Sequence, residues 1–257
     1  MQRPTGFSPQ ERLPRRSRGR GSTIAIVGPG RMGPALAGAL SAAGQPVTGP
    51  LGRGADGNGA DVVLLCVPDG EIAAAARAIA PRAGLLVGHC SGATGLDALA
   101  PHEAFGLHPL MTVAHGPARF AGAGAAIGGT TERAAATARA LAERLGMRPF
   151  AIADEDRAAY HAAASIAANF LTTVEGAAER LAATAGVPRE ALVPLVRAAV
   201  DNWAALGARD ALTGPIVRGD EATVERQRAA VVERTPELAG LFDALAAATR
   251  DLAGVPA

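Results

Sequence analysis

A short run, Thr23-Ile24-Ala25-Ile26-Val27, stops at Gly28-Pro29-Gly30-Arg31-Met32-Gly33 and continues into an Ala/Leu-rich segment reaching Ala43. A strand, a Gly-x-Gly-x-x-Gly turn and a helix in this order leave few folds open. The first glycine permits the tight turn, the second lets backbone approach a pyrophosphate, and the third lets the helix pack on the sheet. The N–H groups at the helix start then face the anion. Glycine is abundant here, at 32 of 257 residues, so the motif gains its weight from the strand before it and the helix it opens. A purely structural glycine turn is the alternative.

The rest of the chain divides into two patterns. Pro46-Val47-Thr48 is a weak second strand, and Asp61 to Val67 is a continuous apolar run of the kind a parallel strand shows when both its faces are covered. Glu71–Ala80 reads as helix, Gly84–Gly88 with His89 as strand, Ala123–Ile127 as strand, Glu132–Leu145 as helix and Pro149–Ile152 as the last strand. After Asp154 only helices follow: Glu155–Ala185, Arg189–Leu206, Glu221–Val232 and Pro236–Leu252. The predicted architecture is α/β, a Rossmann-type parallel sheet over 22–153 followed by an all-helical domain over 154–257. Residues 1–21 are Arg- and Pro-rich with almost no large apolar side chain, the composition of a disordered tail.

Composition removes whole classes of chemistry. The chain contains no lysine, so all 25 of its basic residues are arginine. A Walker phosphate loop and Schiff-base catalysis are therefore excluded. A net charge of +1 points to neither nucleic acid nor an anionic membrane. Nothing approaches the roughly 18 apolar residues of a membrane helix. Arg15-Arg16 lacks the apolar segment an export signal needs, so a cytoplasmic protein is expected. Cys66 and Cys90 each follow an apolar run and read as small residues of a reduced core, with a disulfide or a reactive thiol as alternatives. His102, His108 and His115 have no acidic or cysteine company, so no metal is expected.

Cofactor preference is written after the second strand. NAD-binding folds place an acid there to hold the ribose hydroxyls. Here the chain reads Val47-Thr48-Gly49-Pro50-Leu51-Gly52-Arg53, with no acid before Asp56. Arg53, assisted by Arg31, suits the additional phosphate of NADP better than NAD; a solvated loop arginine is the alternative.

These segments resemble the Rossmann-like proteins that carry a DUF2520 C-terminal domain, relatives of pyrroline-5-carboxylate reductase and of the 6-phosphogluconate and β-hydroxyacid dehydrogenases. The resemblance rests on the GPGRMG turn, the CVPDGEI stretch, HCSG, Tyr160-His161-Ala162-Ala163-Ala164, Asn169-Phe170-Leu171 and the run Leu212 to Asp220, LTGPIVRGD. It spans about 23–250. It implies a helical domain like the C-terminal one of 6-phosphogluconate dehydrogenase and an NADP-linked reduction, and some members resemble ketopantoate reductases. Two departures stand out: Gly49 to Gly59 is short, and Gln227 stands where relatives tend to carry histidine.

Reduction of a carbonyl needs a hydride donor, a proton source and a substrate anchor. By position, Val67-Pro68-Asp69 borders the cofactor, while His89-Cys90-Ser91-Gly92 borders nicotinamide and substrate, with Ser91 a candidate catalytic group and Gly92 a substrate contact. His161, Ser165, Asn169 and Thr172, spaced four, four and three, form one polar stripe on an otherwise apolar helix. A ligand pocket or neighbouring helices are its alternative partners. The resembling dehydrogenases carry a catalytic lysine on this helix and an asparagine further along. With lysine absent, His161 becomes the candidate acid and Asn169 the candidate orienter. Ser165 joins the substrate contacts. Arg218 is a candidate carboxylate anchor with Asp220 beside it, unless the two pair locally. His108, placed past the sheet, lines the pocket or stabilises a loop. A pyrroline-carboxylate-type imine reductase and a non-catalytic dinucleotide sensor are the other readings, and a homodimer is expected from the Ala-rich helices.

Overall fold

A computed structural model describes residues 22–57, 59–114 and 118–254. The expected tail and His115 lie outside them.

Among the described residues seven strands form one sheet: β1 (Ile24–Val27), β2 (Val47–Leu51), β3 (Val62–Leu65), β4 (Leu86–His89), β5 (Glu103–Leu110), β6 (Gly124–Gly129) and β7 (Arg148–Ala151). Their order is β2-β1-β3-β4-β5-β6-β7. The pairs from β2 through β5 are parallel, β5–β6 is antiparallel and β6–β7 is parallel. The sheet is thus mostly rather than wholly parallel.

The alternation of side chains along β1 shows why apolar runs are needed on both faces. Ile24 and Ile26 join one core with Val62, Leu64, Phe105 and Leu107, while Ala25 and Val27 join a second with Val63, Leu65 and Ile72. Helices α1 (Met32–Ala42) and α3 (Glu132–Arg144) bury Leu36, Leu40, Ala138 and Leu141 in the first core. Helix α2 (Ile72–Arg77) buries Ile72 and Ala76 in the second. Each fully buried Leu or Ile contributes about 1.5–3 kcal/mol.

Strand β5 corrects the sequence reading. Glu103–Leu110 has no β-branched residue and contains Pro109, so local propensity argues against a strand. Pairing with β4 on one side and β6 on the other overrides that propensity and buries Ala104 to Leu107. His108 therefore stands in the sheet, opposite Ala126, and not past it.

The chain divides into two compact units, meeting between Ala164 and Ser165. Helix α4 (Arg157–Ser165) opens the expected run of helices, and nearly all of it belongs to the first unit. A π-helical turn, Ile166–Phe170, leads into α5 (Leu171–Thr184). The single regular helix expected over 155–185 is thus interrupted, and the stripe argument, built on about 100° per residue, loses its register there.

The second unit continues with α6 (Arg189–Leu206), which carries Pro194 in its interior, and then α7 (Ala208–Ala211), α8 (Glu221–Arg234) and α9 (Ala239–Ala253). Its small core holds Val224, Val231, Leu238 and Ala246. Neither α5 nor α6 buries a single residue. No helix among the described residues is long and apolar enough to cross a membrane.

Candidate functional site

At the carboxyl end of β1 the backbone is packed too closely for side chains. Gly28 has φ +125°, and a Cβ there would lie 2.3 Å from the Cys66 carbonyl oxygen. Its N–H donates to the Leu51 carbonyl at 2.9 Å. A Cβ on Gly33 would lie 1.9 Å from the Gly28 oxygen, which is how α1 comes down onto the turn. Gly30 differs: nothing stands within 4 Å of its Cβ position. Pro29, Gly30 and Arg31 are exposed, Met32 is half-buried and opens α1, and no side chain caps that helix. Open backbone beside an uncapped helix N-terminus is the shape that a dinucleotide pyrophosphate requires, so these residues fit the cofactor.

Arg53 lies just past the end of β2. Its side chain is 83% exposed and pairs with Glu71 at 2.7 Å. The pair lies over a cavity of about 150 Å³ lined also by Val27, Val67 and Ala75. An exposed pair of this kind is worth about 0–1 kcal/mol, so a phosphate can displace Glu71 at little cost. Val67 follows β3, and Pro68 precedes a 3-10 turn, Asp69–Glu71.

A second cluster gathers at the same sheet edge, after β4 and along β5. A Cβ on Gly92 would stand 2.9 Å from both His108 Cε1 and His161 Cδ2, so two imidazoles close on bare backbone. His108 Nδ1 lies 2.7 Å from the Tyr160 hydroxyl, and Tyr160 also packs edge-on against Phe150. Burial, with His161 nearby, pulls the His108 pKa down to about 4. Burial raises that of Tyr160 against the opposing pull of Arg157. At neutral pH both side chains are therefore uncharged. The Ser91 hydroxyl is committed to its own turn: it donates to Thr94 Oγ1 and accepts from the N–H groups of Ala93 and Thr94.

Beneath this cluster lies a buried cation. His89, Gly106 and Gly128 are register neighbours across β4, β5 and β6. Arg157 Nη2 comes within 3.0 and 3.2 Å of the Cβ positions at Gly106 and Gly128, filling the room the two glycines leave. Arg157 is 2% exposed, and its Nε donates to Asp154 at 2.6 Å. Burial works against the Asp154 charge, but Arg157 and the Leu96 N–H outweigh it and hold the carboxyl below its ordinary range. His89 Nδ1 accepts from the Ser91 N–H at 3.2 Å. Burial and the charge of Arg157 push its pKa down to about 4. Among the described residues, neither His89 Nε2 nor Arg157 Nη2 has a hydrogen-bond partner.

The structure thus brings Gly92, His108 and His161 together, and Asp69 is close enough for its charge to act on both His89 and His108. Sequence reasoning gave no role to Arg157 or Tyr160. Their spacing, i, i+3 and i+4 with His161, puts all three on one helix face but says nothing of the partners that they meet across the sheet. A cavity of about 700 Å³ lined by Leu96, Thr130 and Asp154 lies toward the start of β5, away from the glycine turn.

The remaining candidates belong to the second unit. Ser165 ends α4 and is half-buried, and Asn169 is exposed within the π turn. The Thr172 hydroxyl donates to the Ala168 carbonyl at 3.0 Å, so its own helix satisfies it. Arg218 is exposed. Asp220 caps α8, accepting from the Thr223 N–H at 3.1 Å. That capping bond and the arginines nearby lower its pKa.

Comparison with known proteins agrees with this architecture. Residues 54–114 match the profile of the Rossmann-like domain, and residues 124–249 match DUF2520, a domain of unknown function. Among curated proteins no relative matches. A candidate NADP oxidoreductase from Bacteroides fragilis superposes with a TM-score of 0.78 at 21% identity, covering 90% of this chain and 98% of that one. Protein TM1727 from Thermotoga maritima gives 0.72 at 21% identity over the same shares. A reductive aminase from Aspergillus terreus, solved with NADPH and ethyl-5-oxohexanoate, gives 0.65 at 18% identity, covering 91% and 97%. At these identities the likeness is one of fold. The chain thus joins a region similar to the Rossmann-like domain to a region similar to DUF2520.

Proposed function

We propose that this protein is an NADPH-dependent oxidoreductase that reduces a small carbonyl acid. The observation that carries the proposal is that the open glycine turn after β1 and the His108–Tyr160–His161 cluster around Gly92 occupy the same carboxyl edge of the sheet. Ligands of open α/β sheets bind at that edge. The structural neighbours described with NADP or NADPH support the same reading.

When bound, the dihydronicotinamide supplies the hydride. The chain's own residues do the rest. Gly28, Gly30 and the first N–H groups of α1 hold the pyrophosphate. Arg53 leaves Glu71 for the 2′-phosphate, which favours NADPH over NADH. His161 donates a ring N–H proton to the substrate oxygen as negative charge develops there, and Tyr160 fixes the His108 ring beside it. Ser91 shapes the loop that presents Gly92. Ketopantoate is the leading substrate, by resemblance to family members alone.

An NADPH-oxidation screen against small keto acids, ketopantoate included, and cyclic imines tests this. Turnover with a keto acid is expected, and His161→Gln should lower kcat by about 100-fold or more with little change in KM. A normal kcat in that variant removes the role of His161. Tight NADPH binding with no turnover on any compound favours a sensor instead.

We also propose a homodimer formed through α5 and α6. Ile166, Phe170, Leu195, Trp203 and Leu206 are 57–68% exposed. Ile166, Leu171, Val196 and Trp203 line a groove of about 340 Å³. Two helices with no buried residue and this much exposed apolar surface lack half of their packing. Light scattering should give twice the monomer mass, and Trp203→Glu with Leu195→Glu should halve it. A monomeric wild-type protein at micromolar concentration contradicts the proposal.

A further inference from the structure

We propose that Cys66 and Cys90 form a thiol–disulfide exchange site beneath the glycine turn, which small disulfides of the oxidised-glutathione class convert to a cystine that weakens dinucleotide binding. The two residues follow directly the register pair Leu65–His89 at the ends of β3 and β4. The Cys90 N–H donates to the Leu65 carbonyl at 3.2 Å and the Cys66 N–H to the Val27 carbonyl at 2.7 Å, which holds both backbones in place. Neighbouring strands run about 4.8 Å apart. That falls inside the Cα separation of about 4.4–6.8 Å that a cystine spans.

The sulfurs already touch, with Sγ···Sγ at 3.7 Å. Both thiols are free, and each cysteine keeps part of its surface exposed. The contact with Cys66 and burial keep the proton on Cys90, so the opening attack falls to Cys66. Its thiolate attacks one sulfur of oxidised glutathione, forming a mixed disulfide and releasing one glutathione. Cys90 then gives its proton to solvent, attacks Cys66 Sγ and expels the second glutathione. The protein loses two electrons and two protons, which the oxidised glutathione gains. The rate should rise with pH, because a thiolate is needed at each step.

The cofactor consequence follows from contacts, and it rests on the dinucleotide reading given above. The Cys66 carbonyl oxygen stands 2.3 Å from the Cβ position of Gly28, and Cys66 Cβ stands 3.6 Å from that of Gly33. Drawing Cys66 toward β4 therefore moves the floor on which the turn rests.

The test uses the full chain, incubated with oxidised glutathione and followed by intact-mass measurement and by NADPH titration. Wild type should lose two hydrogens, retain no glutathione and bind NADPH at least about fivefold more weakly, with dithiothreitol reversing both changes. Cys66→Ser and Cys90→Ser should never lose the two hydrogens. Unmodified thiols, a glutathione adduct that persists on wild type, or a cystine with unchanged NADPH affinity each overturn the proposal. If neither redox form binds NADPH, the dinucleotide reading falls, while the mass measurement still decides whether the cystine forms.

Discussion

Gly30→Ala should leave the protein folded and weaken NADPH binding by at least about tenfold. Its Cβ would meet nothing within 4 Å, and its φ lies outside the left-handed region. The melting temperature should therefore stay within a few degrees of wild type. The added methyl group instead occupies the open space through which a pyrophosphate must approach the backbone. Gly28→Ala provides the contrast. There φ is +125° and the Cβ would press to 2.3 Å from the Cys66 carbonyl oxygen. Backbone strain of about 1–3 kcal/mol adds to that clash, so this variant should lose stability as well as binding. Thermal melts and NADPH fluorescence titrations separate the two effects. Normal NADPH affinity in Gly30→Ala would mean that the turn serves the fold alone.

Acid should destabilise the protein well before its carboxylates dominate. His89 and His108 titrate at about 4 in the native state, against 6.5 for an unperturbed histidine. Between these values the unfolded chain takes up protons that the native protein refuses, so stability rises with pH across the window. The contribution is complete above about pH 6.5 and is lost as pH falls toward 4. For each histidine the ceiling is on the order of 3 kcal/mol. Asp154, held low by Arg157, adds a loss in the same direction at the acid end of the window. Urea unfolding from pH 4 to 7 should show a steep slope in wild type and a shallower one in His108→Gln. Equal slopes would mean that His108 is not buried as described.

Much of this arrangement is legible in the sequence, and the parts that are not have physical causes. Covered parallel strands must be apolar throughout, so β1 and β3 stand out as runs. The glycine turn is equally clear, because its glycines answer to backbone contacts that any such turn must make. Strand β5 is hidden because pairing on two sides, rather than its own residue types, makes it a strand. Once β5 is missed, His108 cannot be placed, and its partner Tyr160, 52 residues away, cannot be found from spacing. Arg157 is a harder case. Its burial depends on Gly106 and Gly128 facing each other across β5 and β6, a coincidence of register that no local pattern announces. The π turn at Ile166–Phe170 defeats the polar stripe for a similar reason, since spacing arguments assume a regular helix.

Isothermal calorimetry of NADPH and NADH against the purified, folded protein bears on the cradle after β1 without any knowledge of the substrate. Saturable binding of NADPH, tighter than that of NADH because the chain after β2 carries Arg53 and no acid before Asp56, is the expected result. No heat of binding for either dinucleotide at millimolar concentration would contradict the assignment of an oxidoreductase.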